Sequence, residues 1–158
     1  MKNTSQEIYD EKIMGEILAG AEFCRISMMD GDRPYTLPLT YGYKDKCIYI
    51  NSAPKGKKIE ILSRNPEVDF EIQCTAERST SCQSLVGRGT VEIISDSTGK
   101  QNGMEVILSQ QGSSYISDFD PKDMEYVVIL KLNIDSLKKK QSGTYYKQGS
   151  RNGSPCKV

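Results

Sequence analysis

The sequence predicts a single, mainly β domain of the barrel or sandwich type with peripheral helices. Six stretches have the short, alternating character of strands, and tight polar turns join several of them. Three other stretches have the apolar spacing of helices. No internal repeat is present, and the strands are too short and too closely joined by turns to favour a parallel α/β sheet. A chain of 158 residues suits one hydrophobic core.

The first half is predicted as a helix and an antiparallel meander of three strands. Apolar residues at spacings of one, three and four predict the helix over residues 7–20. The strands are predicted over residues 22–29, 33–43 and 47–51. Their turns are Asp30-Gly31-Asp32, where Asp-Gly tolerates a positive φ, and Lys44-Asp45-Lys46. Pro38 cannot donate to a ladder, so it predicts an edge, a bulge or a backbone that faces a ligand.

The second half adds two helices and three strands. The helices are predicted over residues 57–64, ended by Asn65-Pro66, and over residues 98–110, with Met104, Ile107 and Leu108 inward. The strands are predicted over residues 67–75, 81–94 and 126–134, and a turn over residues 118–122. Gly87 and Gly89 predict a bulge or barrel bend. Residues after about 142 are polar and are predicted to be poorly ordered unless a partner subunit holds them.

Composition excludes several classes of function. Twenty-one basic residues balance twenty-one acidic ones, which disfavours nucleic acid as the main partner. No run approaches the ~18 apolar residues of a membrane span. The polar stretch of residues 1–10 lacks the apolar core of a signal peptide, so a cytoplasmic protein is expected. The five scattered cysteines are expected to be reduced.

The sequence contains no histidine and no tryptophan. A Ser-His-Asp triad, a Cys-His pair and a His-ligated metal site are therefore excluded. No cluster of cysteines or carboxylates has metal-ligand spacing, so no metal is predicted. If the protein is an enzyme, a cofactor is expected to supply the reactive atom.

The loop before the helix over residues 57–64 has the composition of a phosphate site. It contains Lys55, Gly56, Lys57 and Lys58. A helix N-terminus offers unpaired N–H groups and a partial positive charge, to which lysines and a glycine add. Lysines in a polar loop are more often a solvated surface, and these residues alone leave both interpretations open.

Seven motifs follow one another in a fixed order between residues 13 and 94. They are Ile17-Leu18, Asp32-Arg33-Pro34-Tyr35, Leu37-Pro38-Leu39-Thr40-Tyr41-Gly42, Ile48-Tyr49-Ile50-Asn51-Ser52-Ala53, Gly56-Lys57-Lys58, Asn65-Pro66-Glu67-Val68 and Ser84-Leu85-Val86-Gly87-Arg88-Gly89. In order and spacing they resemble the FMN-binding core of the pyridoxamine 5′-phosphate oxidase-like split barrels, especially the nitroimidazole-resistance branch.

The resemblance implies a six-stranded antiparallel split β-barrel with peripheral helices. Residues 1–141 would form one FMN-binding domain and residues 142–158 a polar tail. Two subunits would pack side by side as a homodimer, with each FMN in the groove between them. The FMN-binding residues implied by position are Leu37, Pro38, Leu39 and Thr40 along the ring, Asn51 and Ser52 beside the ring and ribityl chain, Lys57 and Lys58 at the phosphate, and Gln83 and Ser84 on a neighbouring strand.

Some of these residues also suit a purely structural role. Leu37 and Leu39 would fit any barrel strand, Ser84 could be an ordinary strand residue, and Arg88 is expected to be a surface charge. Where the nitroimidazole-resistance branch often has a histidine, this chain has Asn51, whose amide does not titrate. Residues 143–158 lack the substrate-binding arginine and histidine of the oxidase branch, so true pyridoxamine-phosphate oxidase activity is not expected.

The resemblance implies an FMN-dependent oxidoreductase that passes electrons from a nicotinamide donor to a small acceptor, such as a nitro compound or a quinone. Protons would come from water or from a tyrosine, with Tyr35 and Tyr41 the nearest in sequence. One alternative is a flavin-binding or sensor module without turnover. Another is a related split barrel that binds a deazaflavin or heme, although a His-ligated heme is impossible here.

Overall fold

The computed structural model describes residues 4–73, 83–112, 115 and 120–141, and within them three α-helices, a short 3-10 helix and seven strands. The helices are α1 (Thr4–Gly20), α2 (Lys57–Arg64), α3 (Ser97–Gln111) and the 3-10 helix Pro121–Tyr126. The strands are β1 (Phe23–Asp30), β2 (Arg33–Thr40), β3 (Gly42–Lys44), β4 (Cys47–Ser52), β5 (Glu67–Gln73), β6 (Gln83–Ile94) and β7 (Val128–Gln141).

The strands form one antiparallel sheet in the order β2-β1-β5-β6-β7-β4-β3. Its two end strands, β2 and β3, are consecutive in the chain, with only Tyr41 between them. The sheet therefore curls back towards itself, and the predicted mainly β split barrel with peripheral helices is confirmed.

The predicted count of six strands and the predicted three-strand meander are wrong. The stretch over residues 33–43 breaks at Tyr41, and its two parts pair with different strands, β2 with β1 and β3 with β4. The break occurs because the Tyr41 side chain turns into the core and its hydroxyl donates to the carbonyl of Leu18. The next residue, Gly42, lies against the backbone of α3, where a Cβ would be 2.6 Å from the Val106 oxygen.

The main core fills the inside of the curled sheet. The alternation predicted for residues 67–75 is confirmed, since Val68, Phe70 and Ile72 are buried. Cys74 lies outside the described residues. Helix α1 closes one end of the core with buried residues that include Leu18. A smaller core lies under α3 and contains Met104, Ile107 and Ile129, with Leu108 partly buried against it.

Local turn signals are confirmed where the structure describes them. The Asp30-Gly31-Asp32 hairpin joins β1 and β2, with Gly31 at φ 66°. Asp45 and Lys46, in the turn between β3 and β4, both have positive φ. The bulge predicted from the glycines of β6 is a register shift between Arg88 and Gly89.

The last strand is longer than predicted. β7 begins at Val128, because Tyr126 belongs to the 3-10 helix, and it runs to Gln141 paired with β6. The strand was predicted to end at Ile134, but Leu137 still packs against the core, and Lys138 and Lys140 are exposed on the outer face of the sheet. The turn predicted over residues 118–122 lies partly outside the described residues, as does the whole segment of residues 142–158. None of the helices in the described part is long and apolar enough to cross a membrane.

Candidate functional site

Helix α2 has the predicted bounds and directs its N-terminus away from the core. Ile61 and Leu62 are buried and anchor the helix, with Ile59 packed beside them. Gly56 caps the helix at φ 127°, a conformation that favours glycine, and provides no side-chain hydrogen bond. The first helical bond runs from the amide of Glu60 to the Gly56 oxygen, at 3.0 Å. The amides of residues 57–59 therefore have no partner within the helix.

Lys57 is held by two neighbours from the β1–β2 hairpin. Its Nζ lies 3.6 Å from Oδ2 of Asp30 and 4.7 Å from the centroid of the Tyr35 ring. The other oxygen of Asp30 accepts a hydrogen bond of 3.1 Å from Arg64 at the far end of α2. A single carboxylate thus contacts the first and the last residue of the helix and fixes α2 against the hairpin.

Lys58 has a different environment from Lys57. It is half-buried, and burial lowers the pKa of its ammonium group from the ordinary value. In the part of the chain that the structure describes, no ion pair involves Lys58. A partly desolvated cation beside unpaired helix amides is a suitable place for an anion. We call residues 56–58 together with Tyr35 the lysine end of the site.

Strand β2 lies at an end of the sheet and has one neighbour, β1, so the edge position predicted from Pro38 is confirmed. Leu37 and Leu39 pack inward against the main core, whereas Pro38 is exposed on the outer face. A ligand on the outside of β2 would therefore meet backbone and the outward residues, and not the side chains of the two leucines. Residues 37–40 lie two to five positions after Tyr35, roughly 7–17 Å along the strand.

Asn51 and Ser52 end β4 and point to opposite sides of the sheet. Ser52 is buried, and its hydroxyl donates to the carbonyl of Ala53 at 2.9 Å, so it stabilises the turn into the loop. Asn51 is half-buried on the α3 side, opposite Ile129. Its Oδ1 accepts a hydrogen bond of 2.9 Å from the hydroxyl of Tyr115. Tyr115 could not be predicted from the sequence, because no local signal links two residues 64 positions apart.

Ser84 lies apart from the lysine end within one chain. It is half-buried on β6, paired with Gln73 and Lys140. Strands β5 and β1 separate β6 from β2, which places β6 roughly 14 Å away across the sheet. Gln83 begins β6, and its side chain lies outside the described residues. The ten predicted residues therefore fall into separate groups on β2, on the β4–α2 connection and on β6.

The tyrosines differ as sources of protons. Tyr41 is fully buried, donates to a backbone carbonyl, and burial raises the pKa of its phenol above the ordinary value. It is therefore unsuitable as a proton source near neutral pH. Tyr35 is half-buried beneath the Lys57 ammonium. Arg88, expected to be a surface charge, is exposed and pairs with Asp69 at 3.1 Å.

Among the residues that the structure describes, no helix covers the outer face of β2, β1, β5, β6 and the end of β7. It holds an open groove of about 570 Å³ whose lining includes Thr36, Val86 and Lys138. Two large apolar residues of β1 are exposed here, Phe23 at 52% and Met29 at 43%. Across the described residues, no group of three or more histidines, cysteines or carboxylates could hold a metal ion.

The family model described as pyridoxamine 5′-phosphate oxidase matches residues 10–141. The chain belongs to this family. Within the family it is similar to a candidate 5-nitroimidazole antibiotic resistance protein from Bacteroides thetaiotaomicron. The two structures agree with a TM-score of 0.74 at 25% identity over 84% of each chain. The predicted resemblance to the family and to its nitroimidazole-resistance branch is confirmed.

Two further structures of known proteins share the fold. One is an FAD-binding protein from Mesorhizobium loti, with a TM-score of 0.66 and 22% identity over 80% of this chain and 91% of that one. The other is a candidate pyridoxamine 5′-phosphate oxidase from Listeria innocua, with a TM-score of 0.66 and 21% identity over 83% and 97% of the two chains. No curated protein matches the sequence.

Proposed function

We propose that the protein is an FMN-binding flavoprotein, an oxidoreductase of the nitroimidazole-resistance type that passes electrons from a nicotinamide donor to a small acceptor. The observation that carries the proposal is the lysine end of the site. This end combines unpaired amides of α2 with the half-buried Lys58 and with Lys57, whose ammonium lies over the Tyr35 ring. The family model, which covers residues 10–141, supports a flavin as the ligand.

The residues of the lysine end fit the phosphate of FMN. A phosphate dianion needs charge-assisted donors, and this end offers two ammonium groups and the first-turn amides of a helix. The edge of β2 fits the ring, because a strand with one neighbour keeps backbone N–H and C=O groups available for its polar edge. Phosphate and ring would thus lie along one strip, from Tyr35 to Thr40.

The protein's own residues bind and orient the cofactor and the substrates. Lys57 and Lys58 would hold the phosphate, the backbone of residues 37–40 would contact the ring, and Asn51 would donate a hydrogen bond near it. FMN, when bound, supplies the hydride and electron transfer chemistry that no side chain of this protein can provide. Asn51 does not titrate and Tyr41 is buried, so water and Tyr35 are the proposed sources of protons.

The proposal includes a homodimer. Within one chain, Ser84 lies roughly 14 Å from β2, too far to join the lysine end directly. A second subunit packed on the open outer face would bury Phe23 and Met29 and bring its own Gln83 and Ser84 to the groove between subunits. The cytoplasmic location remains a prediction from the sequence.

A second candidate function is a flavin-binding module without turnover. Asn51 favours it, since this chain has a non-titrating amide where the branch often has a histidine. The FAD-binding protein from Mesorhizobium loti shares the fold, which makes FAD a competing ligand to test beside FMN. A deazaflavin, the alternative that the family resemblance leaves open, is the third ligand to test.

An FMN titration tests the cofactor. The purified protein should show a flavin absorption spectrum or take up FMN tightly. Lys57→Ala with Lys58→Ala should weaken FMN more than tenfold, because each charge-assisted bond is worth about 1.5–3 kcal/mol. The control is Lys44→Ala with Lys46→Ala in the β3–β4 turn, which removes the same charge from another exposed place.

Several results would contradict the proposal. If the wild-type protein does not take up FMN, FMN is not its cofactor. If the Lys57/Lys58 variant binds FMN with unchanged affinity, these lysines do not bind the phosphate. Oxidation of a nicotinamide in the presence of a nitro compound or quinone separates the reductase from the module without turnover.

A further inference from the structure

We infer that Tyr115 is a positioning residue, which holds the Asn51 amide so that its NH₂ group, and not its oxygen, faces the ligand. This inference rests on the proposed binding of FMN. Asn51 was implied by family resemblance, whereas Tyr115 enters only through the fold.

The geometry around Asn51 fixes one half of its amide. The Tyr115 hydroxyl donates to Oδ1 at 2.9 Å in a partly buried setting. The Tyr115 ring packs on the small core under α3, which contains Met104 and Ile129, and this packing fixes the position of the phenol. The backbone of Asn51 is fixed in turn by the pairing of β4 with β7 opposite Ile129.

The hydrogen-bonding capacity of the amide then decides what the site can bind. An asparagine side chain has one oxygen that accepts and one nitrogen with two donors. Because the bond from Tyr115 holds the oxygen on its own side, the group that the amide turns towards a ligand is the NH₂ donor. Such a donor complements an acceptor atom, such as a carbonyl oxygen or an unprotonated ring nitrogen of an oxidised flavin. The amide does not titrate near neutral pH, so its NH₂ group stays a donor there, whereas an imidazole at this position would gain or lose a proton.

Two variants test whether Asn51 and Tyr115 act by offering a donor to the ligand or only by supporting the fold. Asn51→Asp keeps an oxygen that accepts from Tyr115 but replaces the presented donor with a negatively charged acceptor. Tyr115→Phe keeps the packed ring and frees the amide to rotate. Asn102→Asp, on the exposed surface of α3, is the matched control because it makes the same chemical change elsewhere. For each variant we would measure FMN affinity, thermal stability and the midpoint potential of the bound flavin.

We expect Asn51→Asp to lower FMN affinity at least tenfold, because a lost donor is replaced by a repulsive charge. Its melting temperature should stay within about 2 °C of the wild type, since the hydrogen bond to residue 115 persists. The flavin potential should fall, because a nearby negative charge opposes electron uptake, and a purely structural role for Asn51 would not move it. Tyr115→Phe should weaken FMN by about two- to fivefold, and Asn102→Asp should change nothing.

Wild-type affinity and potential in Asn51→Asp would overturn the inference while leaving FMN binding intact. Wild-type affinity in Tyr115→Phe would overturn the role of Tyr115 alone, and it decides the matter even if Asn51→Asp does not fold. Failure of the wild-type protein to bind FMN is a different result, which overturns the proposed function together with this inference.

Discussion

The two ends of the barrel differ in whether their polar groups have hydrogen-bond partners within the described chain. At the corner of the sheet between β2 and β3, Gln110 and Gln111 from the last turn of α3 lie beside the buried Tyr41, and we call these three residues the glutamine cluster. Gln110 donates to the carbonyls of Leu18 and Ala21, both at 3.1 Å, and accepts from the amide of Tyr43 at 2.7 Å. Gln111 donates to the carbonyl of Tyr41 at 2.6 Å.

The lysine end leaves its donors for other molecules. The pairs that Asp30 makes with Lys57 and Arg64 are exposed, with 57% and 64% of the two cationic side chains accessible. Such pairs contribute little to stability. The amides of residues 57–59 have no partner within the helix, and no described ion pair involves Lys58. Saturated polar groups thus mark the structural end of the molecule, and unsaturated donors mark the end proposed to bind.

The largest expected effect comes from breaking the corner. In Gly42→Ala the new Cβ would lie 2.6 Å from the Val106 oxygen and 2.7 Å from the Ile107 Cα, both backbone atoms of α3. Helix α3 must move, so the free energy of unfolding should fall by about 3 kcal/mol. Urea denaturation measures this. The control, Gly15→Ala in α1, meets no atom within 4 Å and should be neutral or stabilising by up to about 1 kcal/mol. Equal stability of Gly42→Ala and wild type would show that the corner is not tightly packed.

Alkaline pH should weaken the corner next. Burial raises the pKa of the Cys24 thiol to about 12 from 9.0, and it also raises the pKa of Tyr41. Between the ordinary value of 9.0 and the folded value of about 12, the Cys24 thiol has lost its proton in the unfolded chain and keeps it in the folded one. The free energy of unfolding therefore falls as pH rises above about 9. The loss due to Cys24 should be roughly 2 kcal/mol by about pH 10.5. Urea denaturation across this range should show a shallower decline in Cys24→Ala; a decline of the same slope would refute the assignment to Cys24.

The smallest effect on stability is expected at the lysine end. Burial lowers the pKa of Lys58, which means that its charged form costs stability below that pKa, and the cost disappears as pH rises through it. Lys58→Met removes the charge and keeps the length, so thermal stability at neutral pH should stay equal or rise slightly. FMN affinity should nevertheless fall several-fold, and further than in Lys57→Met, because Lys57 already has Asp30 and Tyr35 as partners. A loss of stability in Lys58→Met without a loss of FMN affinity would show that Lys58 supports the fold and does not bind FMN.

Features with local signals could be predicted from the sequence. The bounds of α2 were predicted correctly because Gly56 before it and Asn65-Pro66 after it are local helix boundaries. The bulge in β6 and the hairpin at Gly31 follow from glycines in the same way.

Features that depend on distant residues could not be predicted. The strand pattern continues through Tyr41 to Tyr43, and only the packing of Tyr41 and Gly42 against other elements ends β2. Gln110 contacts Leu18 across 92 positions, and Tyr115 contacts Asn51 across 64. The different environments of Lys57 and Lys58 likewise follow from where the β1–β2 hairpin lies, and nothing in two adjacent lysines distinguishes them.

The single residue between β2 and β3 also affects whether the sheet edges can pair with another molecule. In the part of the chain that the structure describes, β2 has one neighbouring strand, so its outer edge could template such pairing, whereas β3 packs against α3 and the amide of Tyr43 donates to Gln110. Their covalent link at Tyr41 keeps these two edges side by side and turned out of a flat arrangement. An insertion or a chain break between Thr40 and Gly42 would let β2 separate from β3, so we expect such a change to favour domain swapping through the edge of β2.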